Sequence, residues 1–193
     1  MQAARAVWRR RQTWLKDHPD KLGKIVFIDE TGLNTKMARL RGRTNRGRRL
    51  VASIPHGHWK TLTFIAGLRH DGLTAPWVID GAMDGDAFVK YIKTQLAPTL
   101  NQGDVVVLDN LPAHKRQDAE KAVRQCGAWL LFLPPYSPDM NPIELAFSKL
   151  KAHLKRLAPR TVGELWKAAG KICDFFTPQE CINFFKADGY EPN

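Results

Sequence analysis

The sequence predicts an α/β domain in which a mixed sheet carries helices on both faces. Strand-like runs come first along the chain, and strands then alternate with helices. The runs "DVVVLDN" (104–110) and "WLLFLP" (129–134) are almost wholly apolar, which is typical of strands buried on both faces. The alternation favours parallel strands joined by right-handed crossovers, so the early strands are expected to form the antiparallel part of the sheet.

Each element follows from a local pattern of apolar residues. The predicted strands are 24–30, 50–55, 61–68, 72–80, 104–110 and 129–134. The predicted helices are 2–17, 84–98, 113–126, 142–157, 162–176 and 178–187. Asp84 is placed to cap the second helix, because aspartate accepts backbone hydrogen bonds at a helix N-terminus. The chain is therefore divided into a basic N-terminal helical segment, 1–23, and one domain, 24–193.

The composition argues against several classes of protein. The chain has 193 residues, 44% of them hydrophobic, which suits one domain with a substantial core. No apolar run reaches the ~18 residues of a membrane span, and the basic N-terminus lacks the apolar stretch of a secretory signal. The three cysteines have no CxxC spacing, which argues against a disulfide framework and a zinc site. We therefore expect a cytoplasmic protein with no membrane partner.

The charge predicts a polyanionic partner. The formal net charge is +11, and much of the excess lies in 39–49, the arginine segment, which has six arginines and no acidic residue. Glycine-interleaved arginines present planar groups suited to phosphate, and the alternative is a solvated charged surface. A membrane surface is less favoured, because no amphipathic apolar face accompanies the arginines. The residues predicted to contact nucleic acid are Arg39, Arg41, Arg43, Arg46, Arg48 and Arg49.

Two aspartates directly follow apolar strand cores. Asp29 comes after "KIVFI", and Asp109 comes after "DVVVL". Carboxylates in such places are costly to desolvate unless they are paired or bind a metal. In open α/β sheets, sites assemble at the carboxyl ends of the strands. Either aspartate alone is equally well explained as a turn or cap residue, but the two together indicate a site at the sheet edge.

Glu144 stands at the start of a helix, after the proline-rich stretch 133–142. With Asn141 as N-cap it forms a predicted capping box, and the same pattern occurs at Glu164 and Glu180. Only Glu144 follows a buried strand and a loop stiffened by prolines. Such a loop would hold the helix start over the sheet edge. We therefore expect Glu144 to be both a cap and a third member of the acidic site.

Three carboxylates at one edge are hard oxygen ligands, suited to Mg²⁺ or Mn²⁺ rather than zinc. Two such ions ~3.5–4 Å apart support in-line displacement at phosphorus. We predict that Asp29, Asp109 and Glu144 are the metal ligands and the catalytic residues, with Asp29 bridging the ions and Glu144 helping to position water. Lys151 and Lys155 share the helix face of Glu144 and are predicted to contact DNA phosphates. A solvated basic face is the alternative.

Two further polar residues are auxiliary candidates. His114 is placed to contact the scissile phosphate or a leaving oxygen, and Asn110 to orient the neighbouring aspartate. For both residues the alternative is an ordinary polar residue at a helix start. Glu30 is predicted to point away from Asp29, because successive side chains of a strand alternate between faces.

Three blocks of the sequence resemble a known family. "FIDETG", "VVLDNLPAHK" and "LFLPPYSPDMNPIE" are similar to the signature blocks of mariner-superfamily transposases, in the bacterial insertion-sequence branch. The 34 residues between Asp109 and Glu144 match the spacing of that superfamily's Asp-Asp-Glu (DDE) triad. The resemblance covers about 24–190. It implies a ribonuclease H-like (retroviral integrase-like) fold, a DDE catalytic domain over 24–193, and DNA cleavage and joining with two Mg²⁺ or Mn²⁺ ions. By matching blocks, Asp29 takes the first triad position.

The resemblance also implies partners. These are transposon ends and target DNA, with a homodimer assembled on the DNA. Family members carry helix-turn-helix modules before the catalytic domain, whereas only about 24 residues precede the first strand here. We therefore expect a separate or frameshift-fused helix-turn-helix segment, and a cytoplasmic, nucleoid-associated location in a bacterium. Two alternatives stay open: a ribonuclease H-like endonuclease without joining activity, and a non-catalytic DNA-binding remnant of a transposase.

Overall fold

The computed structural model describes residues 2–39, 41–51 and 55–190. Five strands form one mixed sheet: β1 (Ile25–Asn34), β2 (Thr61–Arg69), β3 (Gly72–Asp80), β4 (Val105–Leu108) and β5 (Trp129–Phe132). Their order across the sheet is β3-β2-β1-β4-β5. The first three strands pair antiparallel, and β4 and β5 run parallel to β1. This is the mixed arrangement that the sequence predicts.

The α-helices of the described residues are α1 (Gln2–Asp17), α2 (Gly85–Tyr91), α3 (Gln117–Gln125), α4 (Ile143–Leu157), α5 (Val162–Cys173) and α6 (Pro178–Ala187). After α2 the chain passes through a π-helical turn and a 3₁₀ turn. Further short 3₁₀ helices are Pro19–Lys24, Pro112–His114 and Pro138–Met140. None of the helices in the described ranges has the length and apolar character needed to cross a bilayer.

The sheet is buried on both faces, which explains its apolar central strands. Val26 and Val106 point to the face covered by α2 and α3. Phe27 and Val107, the next residue of each strand, point to the face covered by α1, α4, α5 and α6. Both sets of side chains are almost wholly shielded from solvent. Because side chains alternate between the two faces along each strand, the sheet contributes to two hydrophobic cores, one on each face.

Two element boundaries differ from the prediction in ways that affect the site. β1 extends four residues past its predicted end, because β2 continues to pair with it as far as Asn34 and Thr61. α3 starts at Gln117 rather than at 113, because Pro112–His114 forms a separate 3₁₀ turn. That turn directs His114 back toward the sheet. The predicted N-cap of α2 is confirmed, since Asp84 accepts hydrogen bonds from the next turn.

The predicted strand at 50–55 is wrong for its described residues. Leu50, Val51 and Pro55 lie outside any strand, and residues 52–54 lie outside the described part of the chain. Leu50 and Val51 are 47% and 84% exposed, so these apolar side chains do not join the core. β2, the next strand along the chain, is already paired on both edges, with β1 and with β3, so this segment cannot pair with β2.

Candidate active site

The parallel pairing of β1 and β4 brings the two predicted aspartates side by side. The pairing aligns Phe27 with Val107, and the same register continued by two residues sets Asp29 beside Asp109. β4 ends at Leu108, so the edge of β1 that faces it is open from this point. Asp29 therefore lies within β1 rather than after it. Asp29 is open to a site because the neighbouring strand, β4, has already ended.

A cavity of about 500 Å³ opens at this edge of the sheet. All three residues predicted as the triad line it, together with a fourth acid and two asparagines. The acidic and amide lining residues are Asp29, Glu30, Asp109, Glu144, Asn110 and Asn141. The remaining lining residues are mostly apolar and belong to the two loops that follow β4 and β5: Leu111, Pro112, Leu133, Pro134, Pro135, Tyr136, Ser137 and Pro138. The cavity thus has an acidic floor and an apolar wall.

Asp29 is held by two hydrogen bonds. The backbone N–H of Glu30 donates to Oδ1 at 2.8 Å, and Nδ2 of Asn141 donates to Oδ2 at 2.8 Å. Burial raises the pKa of Asp29 to about 8, helped by the charges of Glu30, Glu144 and Asp109, while the Glu30 N–H acts in the opposite direction. Asp29 thus shares one cavity with three further acidic side chains, which is the electrostatic setting of a cation site.

Asp109 is held by a buried histidine. Its Oδ1 accepts a hydrogen bond from the N–H of Leu111 and lies 2.5 Å from Nδ1 of His114. The other ring nitrogen of His114, Nε2, is 3.1 Å from Oε2 of Glu30, close enough for an ion pair but poorly aligned for a hydrogen bond. Burial lowers the pKa of His114, but the carboxylates of Asp109 and Glu30 outweigh burial and raise it to about 9. His114 therefore lies between the two acids, and both of them favour its protonated form.

Glu144 does not form the predicted capping box. No side chain caps the first turn of α4, and the Glu144 carboxylate makes no hydrogen bond to any described residue. Asn141 is 2% exposed, and its side chain turns to Asp29 rather than to the helix; only its backbone carbonyl accepts from the N–H of Glu144, at 3.0 Å. The capping boxes predicted at Glu164 and Glu180 are both formed. Glu164 and Glu180 therefore cap their helices, whereas Glu144 does not.

The proline loop, residues 133–142, is fixed at two points. Arg5 donates to both carboxylate oxygens of Asp139, at 3.0 and 2.5 Å, and to Oγ of Ser137 at 2.8 Å. At the other point, the hydroxyl of Tyr190 donates to the carbonyl of Met140 at 2.6 Å. The same hydroxyl accepts from Nε1 of Trp8 at 2.7 Å. α1 and the C-terminal end of the described chain therefore hold the loop that leads into Glu144.

The donor set suits a hard divalent cation. Within the described ranges, no three His, Cys, Asp or Glu side chains are arranged to ligate one ion as they lie. Asp29 and Asp109 are hydrogen-bonded to Asn141 and His114 instead, so a cation would be reached by rotation of side chains such as the exposed Glu144. Two buried oxygens in the cavity lining, Oδ1 of Asn141 and Oδ1 of Asn110, have no hydrogen-bond partner in the described residues. A hydrated cation would supply one, so these residues fit Mg²⁺ or Mn²⁺.

A family model described as "DDE superfamily endonuclease" matches residues 24–165. The chain belongs to this family. The match contains all four acids of the cavity and the whole of the sheet. No curated protein matches the chain.

Solved structures show which fold this DDE domain has. The Mos1 Strand Transfer Complex aligns with a TM-score of 0.63 at 14% identity, covering 96% of this chain and 62% of the Mos1 chain. The Mos1 mariner paired end complex with Mn aligns with a TM-score of 0.65 at 14% identity, covering 93% and 58%. A simian T-cell lymphotropic virus intasome aligns with a TM-score of 0.56 at 12% identity, covering 83% and 54%. The predicted ribonuclease H-like, integrase-like fold is confirmed, and the chain spans about three fifths of the Mos1 chains.

The arginine segment of the DDE domain lies apart from the cavity lining. Its six arginines are all exposed, and none of them forms an ion pair with a described residue. On α4, Lys155 is exposed and Lys151 half-buried, on the same side of the helix as Glu144, while Phe147, Leu150 and Leu154 are buried. These basic residues are thus available to an outside partner, and they do not neutralise the acids of the cavity.

Three residues of the site have roles that the sequence alone does not indicate. Asn141 holds Asp29 instead of capping α4, and Glu30 reaches the same cavity although it alternates with Asp29 along β1. His114 meets two carboxylates rather than facing the cavity freely. The available signal was that Glu30 lies within the block "FIDETG" and Asn141 within the block "LFLPPYSPDMNPIE".

Proposed function

We propose that this chain is the catalytic domain of a DNA transposase of the mariner superfamily, in the bacterial insertion-sequence branch, and that it cleaves and joins DNA strands. The observation that carries the proposal is that Asp29, Asp109 and Glu144 line one cavity at the open edge of β1. Membership of the DDE superfamily and the likeness to the Mos1 complexes support it. In this proposal 24–193 is the DDE catalytic domain, and 1–23 is an added basic segment.

Asp29, Asp109 and Glu144 would hold two Mg²⁺ or Mn²⁺ ions, which would neutralise charge on the scissile phosphate and activate the attacking water. The Mos1 paired-end complexes described with Mn and with Mg lend support to this choice of cation. Support also comes from the chemistry of the residues themselves: carboxylate oxygens predominate, and the described residues offer no cysteine to the cavity.

The contacts of the three acids indicate how each would act in this proposal. Asn141 and the Glu30 N–H keep Asp29 oriented, and His114 keeps Asp109 oriented. Glu144, exposed and free of hydrogen bonds to described residues, is the group placed to accept a hydrogen bond from the attacking water. Attack of water on the phosphorus displaces the 3′-oxygen of one strand, leaving a 3′-hydroxyl and a 5′-phosphate. That 3′-hydroxyl then attacks a phosphodiester of the target and displaces its 3′-oxygen.

DNA is the proposed partner, as transposon ends and as target. The exposed arginines Arg39 to Arg49 and the α4 residues Lys151 and Lys155 would contact its phosphates. A homodimer assembled on DNA, a separate or frameshift-fused helix-turn-helix segment, and a cytoplasmic, nucleoid-associated location belong to the same proposal. The likeness to Mos1 strand-transfer and pre-cleavage complexes supports the DNA partner.

A strand-transfer assay tests the proposal. The chain is incubated with Mg²⁺, pre-cut DNA ends and plasmid target, and joined products are counted beside cleaved ones. Joined products that vanish in Asp109→Asn support a transposase. Cleavage without joining favours a ribonuclease H-like endonuclease. No activity together with no Mn²⁺ binding favours a DNA-binding remnant. Cleavage or joining that Asp109→Asn leaves unchanged contradicts the catalytic role of Asp109.

A further inference from the structure

Tyr136 has a backbone conformation and an exposure that the fold does not require. Its φ is +54°, in the left-handed region that favours glycine over side chains with a Cβ. Its side chain is 87% exposed, and it makes no hydrogen bond to any described residue. A tyrosine here adds backbone strain without contributing to the core. Strain of this kind at the rim of a site points to a functional side chain.

The loop presents this ring in a fixed position. Pro135 precedes Tyr136 and Pro138 follows two residues later, and prolines restrict both their own φ and the residue before them. Ser137, the next residue, is buried and accepts a hydrogen bond from Arg5. The ring is therefore held out into solvent by a backbone with few alternatives, so little conformational entropy is lost when it binds a partner.

Tyr136 forms the outer part of an apolar wall that faces the acidic floor of the cavity. Leu111, in the loop after β4, is 46% exposed and also lines the cavity. The two residues therefore stand on separate loops, one after β4 and one after β5, and both loops line the cavity that holds the acids. A planar apolar surface beside a site for phosphate chemistry is complementary to a nucleotide, with the phosphate at the acids and the base against the ring.

We propose that the ring of Tyr136 stacks on the nucleobase next to the phosphate on which the acidic cavity acts, and that Leu111 packs against the same nucleoside. The inference rests on the proposed function and adds to it a contact that selects a base with an accessible face. Stacking tolerates any base, because every base has a π-face. The contact therefore favours unpaired or frayed nucleotides at the reaction centre over a particular sequence.

Substitutions at Tyr136 separate this role from a structural one. Binding is measured by fluorescence anisotropy with a duplex that has a three-nucleotide 3′ overhang, in Ca²⁺. Tyr136→Gly relieves the left-handed strain, so we expect a Tm equal to or above that of the wild type, with DNA affinity lower by about 10-fold. Tyr136→Phe keeps both the ring and the affinity. Trp129→Ala is the matched control, since Trp129 is 62% exposed but begins β5 at the opposite end of the sheet. Unchanged affinity in Tyr136→Gly, as a protein-binding role would give, overturns the inference.

Photo-crosslinking locates the contact directly. The same duplexes carry 5-iodouracil at each overhang position in turn, and crosslinked peptides are identified by mass spectrometry. A crosslink at Tyr136 supports the inference, and it does so even if cleavage assays on the same protein show no activity and the proposed function fails. Metal-dependent cleavage with crosslinks only at other residues overturns the inference and leaves the function standing. The absence of any DNA crosslink contradicts both.

Discussion

The side-chain amide of Asn141 donates a 2.8 Å hydrogen bond to Asp29, a residue 112 positions earlier in the chain. A carboxylate oxygen accepts hydrogen bonds, so the Nδ2 end of the amide faces Asp29, and the carbonyl oxygen is left buried with no partner among the described residues. We predict that Asn141→Ala lowers Mn²⁺ affinity by about 10- to 100-fold, the range that loss of such a supporting contact typically costs. Isothermal titration with Mn²⁺, without DNA, measures this.

Asn183→Ala is the control for Asn141→Ala. Asn183 is an exposed asparagine on α6 whose side chain meets only Gln179, so its loss should leave Mn²⁺ affinity unchanged. A lower Tm for Asn141→Ala with wild-type Mn²⁺ affinity would mean that Asn141 merely supports the loop.

The hydroxyl of Tyr190 joins α1 to the proline loop, because it accepts from Trp8 and donates to the carbonyl of Met140. Tyr190→Phe leaves two buried polar groups without partners, so we expect a loss of about 2 kcal/mol of unfolding free energy. For a chain of this size that corresponds to a fall in Tm of about 4–8 °C, measurable by circular dichroism. Tyr136→Phe removes an exposed hydroxyl and should leave Tm unchanged. Equal Tm values for the two variants would contradict the assigned hydrogen bonds.

Much of the fold and the acidic site follow from patterns within the sequence. Apolar strands alternating with helices predict the parallel half of the sheet, and the parallel register of β1 and β4 places Asp109 beside Asp29. The strand predicted at 50–55 fails because apolar composition alone does not supply a neighbouring strand to pair with. The local pattern predicts an extended segment there without saying whether any sheet edge is free.

The supporting contacts of the site could not be predicted, because local patterns do not choose between hydrogen-bond partners. The side chain of Asn141 has two possible partners: the first turn of α4, which is near in sequence, and Asp29, which is near only in the folded chain. The long-range contact is formed, whereas Thr161 and Thr177, with no such partner, make the predicted capping boxes. Glu30 likewise reaches His114 because β4 ends before it, which is a property of the neighbouring strand.

The arginine segment should govern the salt dependence of DNA binding. Each arginine that neutralises a phosphate contributes about 0.9 to the slope of log K against log salt. Changing Arg46, Arg48 and Arg49 together to glutamine is therefore expected to reduce the slope by up to about 2.7, measured by anisotropy with duplex DNA between 50 and 200 mM salt, approximately. Arg124→Gln is the control, since Arg124 already pairs with Glu120 on α3. An unchanged slope in the triple variant would mean that these three arginines do not contact the DNA phosphates.

Asp188 should make the protein less stable as the pH rises. Burial raises the pKa of this half-buried carboxyl to about 7, and the charge of Asp139 adds to the shift. A raised pKa means that the folded state binds the proton more tightly, so this stability is present below about pH 4 and is lost as the pH rises through 7. Asp188→Asn should raise Tm at pH 8 by about 2 °C, because solvent screens part of the effect, and should change it little at pH 4.

The Asp188 comparison is made as a difference in Tm between variant and wild type at each pH, which removes the contribution of other titrating groups. Asp118→Asn, at an exposed position of α3, is the control. An identical difference in Tm at pH 4 and pH 8 would contradict the shifted pKa of Asp188.

The most direct test of the acidic site compares Glu144→Gln with Glu164→Gln in Mg²⁺-dependent cleavage of DNA. Glu144 is the second residue of α4 and Glu164 the third residue of α5, but only Glu164 caps its helix, and only Glu144 lines the cavity. Glutamine keeps the size and removes the charge, so both variants should unfold within a few degrees of the wild type. We predict that Glu144→Gln loses at least 100-fold in cleavage rate, by analogy with the loss of other positioned catalytic groups, while Glu164→Gln cuts normally. Normal cleavage by Glu144→Gln would contradict the assignment of Asp29, Asp109 and Glu144 as one catalytic site.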